Sequence, residues 1–446
     1  MHDDIASQST GIRQDSNTTP SRRPSFTEAL RFWLKLGFVS FGGPTGQIAI
    51  MHTELVEKRG WISEERFLHA LNYCMVLPGP EAQQLATYIG WFLHGTWGGV
   101  VAGALFVLPA ALILWALSWL YMAGGSLSWI AAIFYGLQPA VVAIVAAAIL
   151  RIGSKALKNL PMWLVAALAF VAIFFFKVPF VLIILAAALL GLAGARIRPD
   201  LFITVKDPGA SDGDSAVDGR RPSAWRTLRL AGVCLVLWLA PIVLVGLARG
   251  WNDIFAQEGA FFSKAALITF GGAYAVLPYV AQQAVEHYRW LETSQMMAGL
   301  ALAETTPGPL IMVLQFVGFV AAWQNPGDLP PLLAGTLGAA ITTWTTFLPS
   351  FLFVLAGAPY IERVRHLKTL NAALSTITAA VVGVILNLAV WFGQHVLIPA
   401  PGRPDYFAVF LATTFFVGLW KGRRNVIPVV IAGGLFGLAA KLLFGL

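Results

Sequence analysis

Only 12% of the 446 residues are Asp, Glu, Lys or Arg, where soluble globular chains carry about 25%. Hydrophobic residues make up 57%, mean hydropathy is +0.72, and 16 Trp and 30 Phe leave too little polar surface to cover a water-soluble body of this size. The composition therefore excludes most soluble folds and a disordered chain; with Cys74 and Cys234 the only cysteines it also excludes a disulfide scaffold, and it specifies an integral membrane protein. The formal net charge of +8 is scattered singly and in short clusters between apolar runs, so it reads as a topology signal and not as a nucleic-acid surface.

Residues 1–25 are polar and lack an apolar core, so neither a signal peptide nor a span is expected there, but a disordered cytoplasmic tail. Between 26 and 93 the apolar segments are only about a dozen residues long and are interrupted by Gly and Pro, which predicts broken or re-entrant helices. Four spans follow near 97–122, 129–150, 160–176 and 179–196. Gly, Asp, Ser and Pro in no periodic order predict a cytoplasmic linker loop over 199–227, and a linking span follows at 228–248. A second region of short, broken helices at 255–324 precedes four more spans near 331–357, 371–393, 404–420 and 425–445. The expected fold is an all-α polytopic membrane protein with about nine full spans plus short helices.

The halves are related by counting. Adding 229 carries Lys35 onto Lys264, Phe41-Gly42-Gly43 onto Phe270-Gly271-Gly272, Glu57 onto Glu286, Trp61 onto Trp290 and Pro78-Gly79-Pro80 onto Pro307-Gly308-Pro309. After an insertion of eleven residues the offset becomes 240, carrying Gly98 onto Gly338, Leu108-Pro109 onto Leu348-Pro349 and Val141-Val142 onto Val381-Val382. This is an internal duplication, with repeats at 26–198 and 249–446. Its copies carry reversed charge bias. The loop 123–128 has no basic residue where its counterpart holds Arg363, Arg365 and Lys368, and the next loop has Arg151, Lys155 and Lys158 against only His395. Cytoplasmic loops collect Lys and Arg, so the repeats are expected to be inverted in the membrane, with the N-terminus inside.

Inverted repeats with interrupted helices are a plan of secondary transporters, with the substrate near the bilayer midplane. A helix starting inside the membrane directs unpaired N–H groups and the positive end of its dipole into the cavity, where an anion is favoured. Pro78-Gly79-Pro80 and Pro307-Gly308-Pro309 have the residues of such starts; Phe41-Gly42-Gly43-Pro44-Thr45 and Phe270-Gly271-Gly272 open two more, and the four are expected to converge. Gln83, Gln84 and Thr305 supply hydrogen-bond donors beside the turns, with Ser40, Asn72, Thr269 and Thr306 near by. Lys35 and Lys264 are intramembrane cations suited to a dianion, although each also suits an anchor that snorkels to an interface. Glu81 and Glu304, whose equivalents are Leu310 and Met75, are candidates for proton coupling. Trp61 and Trp290, flanked by charges, are expected at a membrane interface. Without a phosphate loop, His-Glu-x-x-His or Cys-x-x-Cys, neither an enzyme nor a metal or cofactor site is expected.

Three stretches carry a resemblance: Leu34-Lys35-Leu36-Gly37-Phe38-Val39-Ser40-Phe41-Gly42-Gly43-Pro44, then Leu77-Pro78-Gly79-Pro80-Glu81-Ala82-Gln83-Gln84-Leu85, then Thr269-Phe270-Gly271-Gly272-Ala273-Tyr274. They resemble the chromate ion transporter family in its long, two-domain bacterial form. The resemblance implies export of chromate across the inner membrane with resulting resistance, sulfate being the natural isostere. The residues alone reach an inverted-repeat transporter for an anion. A sulfate or related oxyanion importer or exchanger and an anion channel stay open beside it, and a homodimer is compatible with the sequence. The second copy departs from the first, reading Phe-Gly-Gly-Ala and lacking Glu-Ala-Gln-Gln after its Pro-Gly-Pro, so the copies are not expected to contribute equally.

Overall fold

The computed structural model describes residues 23–444 apart from 42, 125–126, 203–222, 361–367, 401 and 423–425. The expectations for the tail up to residue 22, for Gly42, for most of the 199–227 loop and for Arg363, Arg365, Arg423 and Arg424 lie outside the described residues.

The first repeat contains α1 (Phe26–Val39), α2 (Gly43–His52), α3 (Glu64–Val76), α4 (Glu81–Gly124), α5 (Ser128–Ala156), α6 (Leu160–Phe174) and α7 (Phe180–Ile197). A single turn α8 (Pro199–Phe202) and the long α9 (Ala224–Arg249) lead into the second repeat. That repeat contains α10 (Ile254–Leu267), α11 (Ala273–Gln282), α12 (Thr293–Thr305), α13 (Val313–Gln324), α14 (Pro331–Gly357), α15 (Lys368–Leu397), α16 (Tyr406–Gly422) and α17 (Val426–Phe444). Among the described residues, seven helices are long and apolar enough to cross a membrane, while α6 and α16 are shorter apolar helices. The nine expected spans all fall on helices, and the protein is an all-α, multi-pass membrane protein.

The first three helices of each repeat reproduce the other's boundaries to within about a residue, down to an unusual detail. α2 and α11 both run on into π-helical turns, Thr53–Lys58 and Gln283–His287. In each, the closing amides bond to equivalent carbonyls: Arg59 to Glu54 and Trp61 to Leu55 in one, Tyr288 to Gln283 and Trp290 to Ala284 in the other. The widened turn swings Trp61 and Trp290 inward, where they meet the rings of Phe32 and Phe261 edge-on. Both indoles are buried, at 3% and 4% exposure, so they act as core anchors of the short helices.

The boundary expected between the short helices and the span at 97–122 is present at His94 and Gly95. α4 consists of two helical segments that meet there, where both residues leave helical geometry with Gly95 at φ 69°; the chain reverses, so that Thr87 and Gly90 of the first segment lie against Gly103 and Gly98 of the second. Gly95 makes the reversal at a backbone angle other residues resist. In the second repeat the same point carries Asn325-Pro326-Gly327 and Pro330-Pro331, and the prolines cut the helix into α13 and α14.

The two repeats interlock about a pseudo-two-fold axis. α4 packs on α14 and α5 on α15, each against its own equivalent, while α5 packs on α16 and α17 just as α15 packs on α6 and α7. Small residues allow the close approach. A methyl group added to Gly136 of α5 would strike the backbone of Gly437 in α17 at about 2.6 Å, and one added to Gly191 of α7 would strike Ala372 and Ala373 of α15 at 2.6 Å. Large side chains such as Leu168, Leu189, Leu244 and Phe410 are turned outward, where lipid is their solvent.

Candidate functional site

The four helix breaks meet in two reciprocal pairs. The Gly79 N–H donates to the Thr269 carbonyl at 2.7 Å, and the Gly308 N–H donates to the Ser40 carbonyl at 2.8 Å. Under the offset of 229 these are the same bond, made once from each repeat to the other. Ser40 and Thr269 close the ends of α1 and α10 in equivalent fashion, their hydroxyls donating to Leu36 at 2.6 Å and to Ala265 at 2.7 Å. Each Pro-Gly-Pro turn thus crosses the stretch before the opposite Phe-Gly-Gly turn. Chain that leaves the helical ladder in hydrocarbon must find partners elsewhere, and here each break satisfies the other.

Glycine is dictated at the crossings. Gly79 has φ 127° and Gly308 φ 100°, a region that L side chains rarely enter. The surroundings of the two turns differ. Beside Gly79 lie the Ser350 hydroxyl and the Gln84 amide, whose Nε2 donates to the Pro78 carbonyl at 2.8 Å. Beside Gly308 lies Ala110, the equivalent of Ser350, and the carbonyl of Gly308 accepts from Gln47 Nε2 at 2.5 Å. The Gln47 amide, fully buried in α2, also reaches the Ser40 carbonyl at 3.3 Å. Both supporting glutamines come from the first repeat, since Val276 and Val313 stand at the equivalent positions. The site is asymmetric, with the Gly79 turn as its more polar end.

Glu81 opens α4 directly after the first turn and brings Oε1 to within 3.6 Å of where a side chain on Gly272 would begin. Gly271, next to it, is similarly close to the Thr378 hydroxyl of α15. Glu304, at the end of α12, accepts a hydrogen bond from the buried Tyr274 hydroxyl, one residue into α11 beyond the same glycines. The Arg151 guanidinium of α5 stands 5.8 Å from the centre of the Tyr274 ring, and its charge reaches Glu304; the Lys155 charge, one turn on, reaches Glu81. Glu81 and Glu304, which come from different repeats, are therefore gathered around the second Phe-Gly-Gly turn with two cations behind them.

The structure does not bring every expected residue to this centre. Lys35 is exposed in a stripe with Leu34 and Phe38, and Lys264 is exposed between Ala260 and Leu267, so both ammonium groups leave the protein through apolar, outward surface. Transport by Lys35→Ala and Lys264→Ala is expected to stay within about two-fold of wild type, as for surface positions; a larger loss in vesicle uptake would put the lysines back on the substrate path. Among the described residues Thr305 bonds back into α12, to Ala301 and Leu302, and Gln83 pairs with Thr87 at 3.1 Å. Gly43, Pro44 and Thr45 begin α2 on its more open side, and Pro80, Pro307 and Pro309 are buried at the crossings.

Gln47, Tyr274, Arg151 and Ser350 take part without having been singled out in the sequence. Gln47 is a lone amide among small and apolar residues, which is a usable signal in a membrane helix. Arg151 reads as one more positive charge in a loop, and nothing in the sequence distinguishes it.

The family model described as Chromate transporter matches residues 27–192 and 256–438, one match per repeat. A chromate transport protein of Pseudomonas aeruginosa is 33% identical over 421 residues, covering 93% of this chain and 92% of the relative. One from Cupriavidus metallidurans is 29% identical over 441 residues, covering 94% of each. The uncharacterized transporter YwrB of Bacillus subtilis is 31% identical over 176 residues, 39% of this chain but 79% of its own length, as expected if it corresponds to a single repeat. No solved structure matches. With two family matches on two repeats that share one crossed pair of helix breaks, the chain belongs to the chromate transporter family.

Proposed function

We propose that the protein carries chromate outward across the cytoplasmic membrane as a secondary transporter, with its N-terminus and the 199–227 loop inside, and so confers chromate resistance. The repeats are assigned to 26–198 and 249–446, with α9 as the added crossing that inverts the second. The observation that carries the reading is the reciprocal crossing of Gly79 on Thr269 and Gly308 on Ser40: four interrupted helices held at one level between the repeats, where transporters of this plan place their substrate. Pro78, Gly79, Pro80, Gln84, Gly271 and Gly272 form the oxyanion end, with Gln83, Gly43, Pro44, Thr45, Thr305, Pro307, Gly308 and Pro309 around it, and Glu81 and Glu304 as the groups that answer to protons. The names of the relatives supply the choice of chromate.

Energetics favour the outward direction. Moving one charge through 100 mV is worth about 2.3 kcal/mol, so expelling a dianion from a negative interior gains about 4.6 kcal/mol. Everted vesicles energised inside-positive are expected to accumulate radiolabelled chromate, with sulfate as competitor, and to lose the accumulation when the potential is collapsed. Equal accumulation with the potential collapsed would remove potential-driven efflux, net loss of preloaded chromate from everted vesicles would make the protein an importer, and conductance far beyond carrier turnover would make it a channel.

A further inference from the structure

A carboxylate that takes no part in the crossing lies deep in the second repeat. Glu258, one turn into α10, is fully buried, and neither of its carboxyl oxygens has a hydrogen-bond partner among the described residues. It has no counterpart in the first repeat, where Ala29 stands. A side chain this costly to bury persists where it works. Its Oε2 lies beside Gly338 of α14, 3.0 Å from where a methyl group there would begin.

From that point α14 presents a further series of orphaned polar groups at intervals of four residues: Thr342, Thr346 and Ser350. Their exposures are 0%, 1% and 1%, and none of the three hydroxyls has a partner among the described residues. Other hydroxyls of the same helix, Thr343 and Thr345, bond back to carbonyls in the ordinary way, so the orphaned series is a property of one winding strip. The strip runs about 18 Å from Gly338 to Ser350 at the usual helical rise. It ends against Gly79 and the Gln84 amide, at the polar member of the crossed turns, and Glu81 follows two residues later. Successive groups stand one helical turn apart along the strip.

We propose that Glu258 is a proton-carrying carboxyl of this transporter, and that Thr342, Thr346 and Ser350 relay the proton between it and the Pro78-Gly79-Pro80 turn. The inference rests on the reading that this turn handles the oxyanion. A proton entering at the α10 end binds a Glu258 oxygen, passes along the hydroxyls by exchange of O–H for O···H, and leaves through Glu81 on the far side; no bond other than O–H is made or broken. An oxyanion leaving in the opposite sense is thereby coupled to the pH gradient as well as to the potential. The helices packed on α10 contribute few competing charges. α13 and α14 carry no ionisable side chain, α11 brings Tyr274 and Tyr279, and α9 brings Arg226, Arg229, Cys234 and Arg249. Asp253, the cap of α10, is the charge felt at Glu258, and it is held by Arg249 at 2.8 Å, which also holds Asp328 at 3.0 Å.

The test uses the full-length protein in liposomes at zero potential, with an internal pH dye and radiolabelled chromate. Wild type is expected to accumulate chromate against an imposed pH gradient and to move protons with it. Glu258→Gln is expected to keep chromate exchange at equal pH on both sides while losing gradient-driven accumulation at least about ten-fold, and Thr346→Val to lose part of it. Gradient-driven accumulation by Glu258→Gln at the wild-type level overturns the proposal, as does a wild type that exchanges chromate but ignores the pH gradient. A wild type that exchanges neither chromate nor sulfate overturns the oxyanion reading instead. A substrate-free arm then decides for Glu258: a carboxylic C=O infrared band that titrates with pH and vanishes in Glu258→Gln upholds the proton carrier, and its absence overturns it.

Discussion

Gly79→Ala is expected to reduce chromate transport at least about ten-fold, the rate equivalent of 1.4 kcal/mol, and Gly308→Ala to do likewise. At φ 127° and 100° an L side chain is strained by about 1–3 kcal/mol even in open space, and here the space is filled. A methyl group on Gly79 would lie 2.7 Å from the Gln84 amide nitrogen and closer still to the Ser350 hydroxyl, while one on Gly308 would meet the methyl group of Ala110. The turn must shift, and the inter-repeat bond from its N–H to Thr269 or Ser40 lengthens with it. Initial rates in vesicles, normalised to protein in the membrane, measure the effect. Gly232→Ala in α9 is the control, because nothing lies within 4 Å of the added methyl group and the helix gains propensity. Wild-type rates in Gly79→Ala would show that the crossing is a packing feature with no part in transport.

Arg151→Ala is expected to lower transport by about ten-fold or more at limiting chromate, and Arg151→Lys to recover only part of it. The guanidinium stands over the Tyr274 ring, and Tyr274 in turn donates to Glu304. Removing the cation leaves that carboxylate with one hydroxyl and no compensating charge, in a region where unpaired charge is expensive. Lysine keeps the charge but loses the flat, weakly hydrated face that lies against a ring. A pure topology signal answers to charge alone. Full activity of Arg151→Lys, with loss only in Arg151→Ala, would therefore return Arg151 to the role its loop position implies.

The positions of the breaks were legible residue by residue. Pro-Gly-Pro and Phe-Gly-Gly, recurring at one offset, mark where the helical ladder stops in both repeats, because proline lacks the N–H and glycine tolerates the backbone angles needed there. The duplication itself is visible for the same reason, and so is the membrane class, from the scarcity of charge. The roles of lone charges were much less legible. Lys35 and Lys264 occupy equivalent and suggestive positions, yet a lysine six residues before a turn points inward or outward according to how its short helix is rolled, and only packing fixes the roll. Glu258 shows the converse: Gly338, which lies beside its carboxylate, comes from a helix about eighty residues further along the chain.

By itself, then, the sequence determines that this is a duplicated, all-helical membrane protein whose helices break at four defined points, since hydropathy, proline chemistry and glycine freedom are local properties. Which break satisfies which was decided only by the tertiary structure. The backbone groups freed at Gly79 and Gly308 find their partners in the other repeat, more than 180 residues away, and no local rule chooses between a partner in the same repeat and one across the axis. Close packing of α4 on α14 and α5 on α15 makes that choice, and with it places Glu81, Glu304 and Arg151 around one turn.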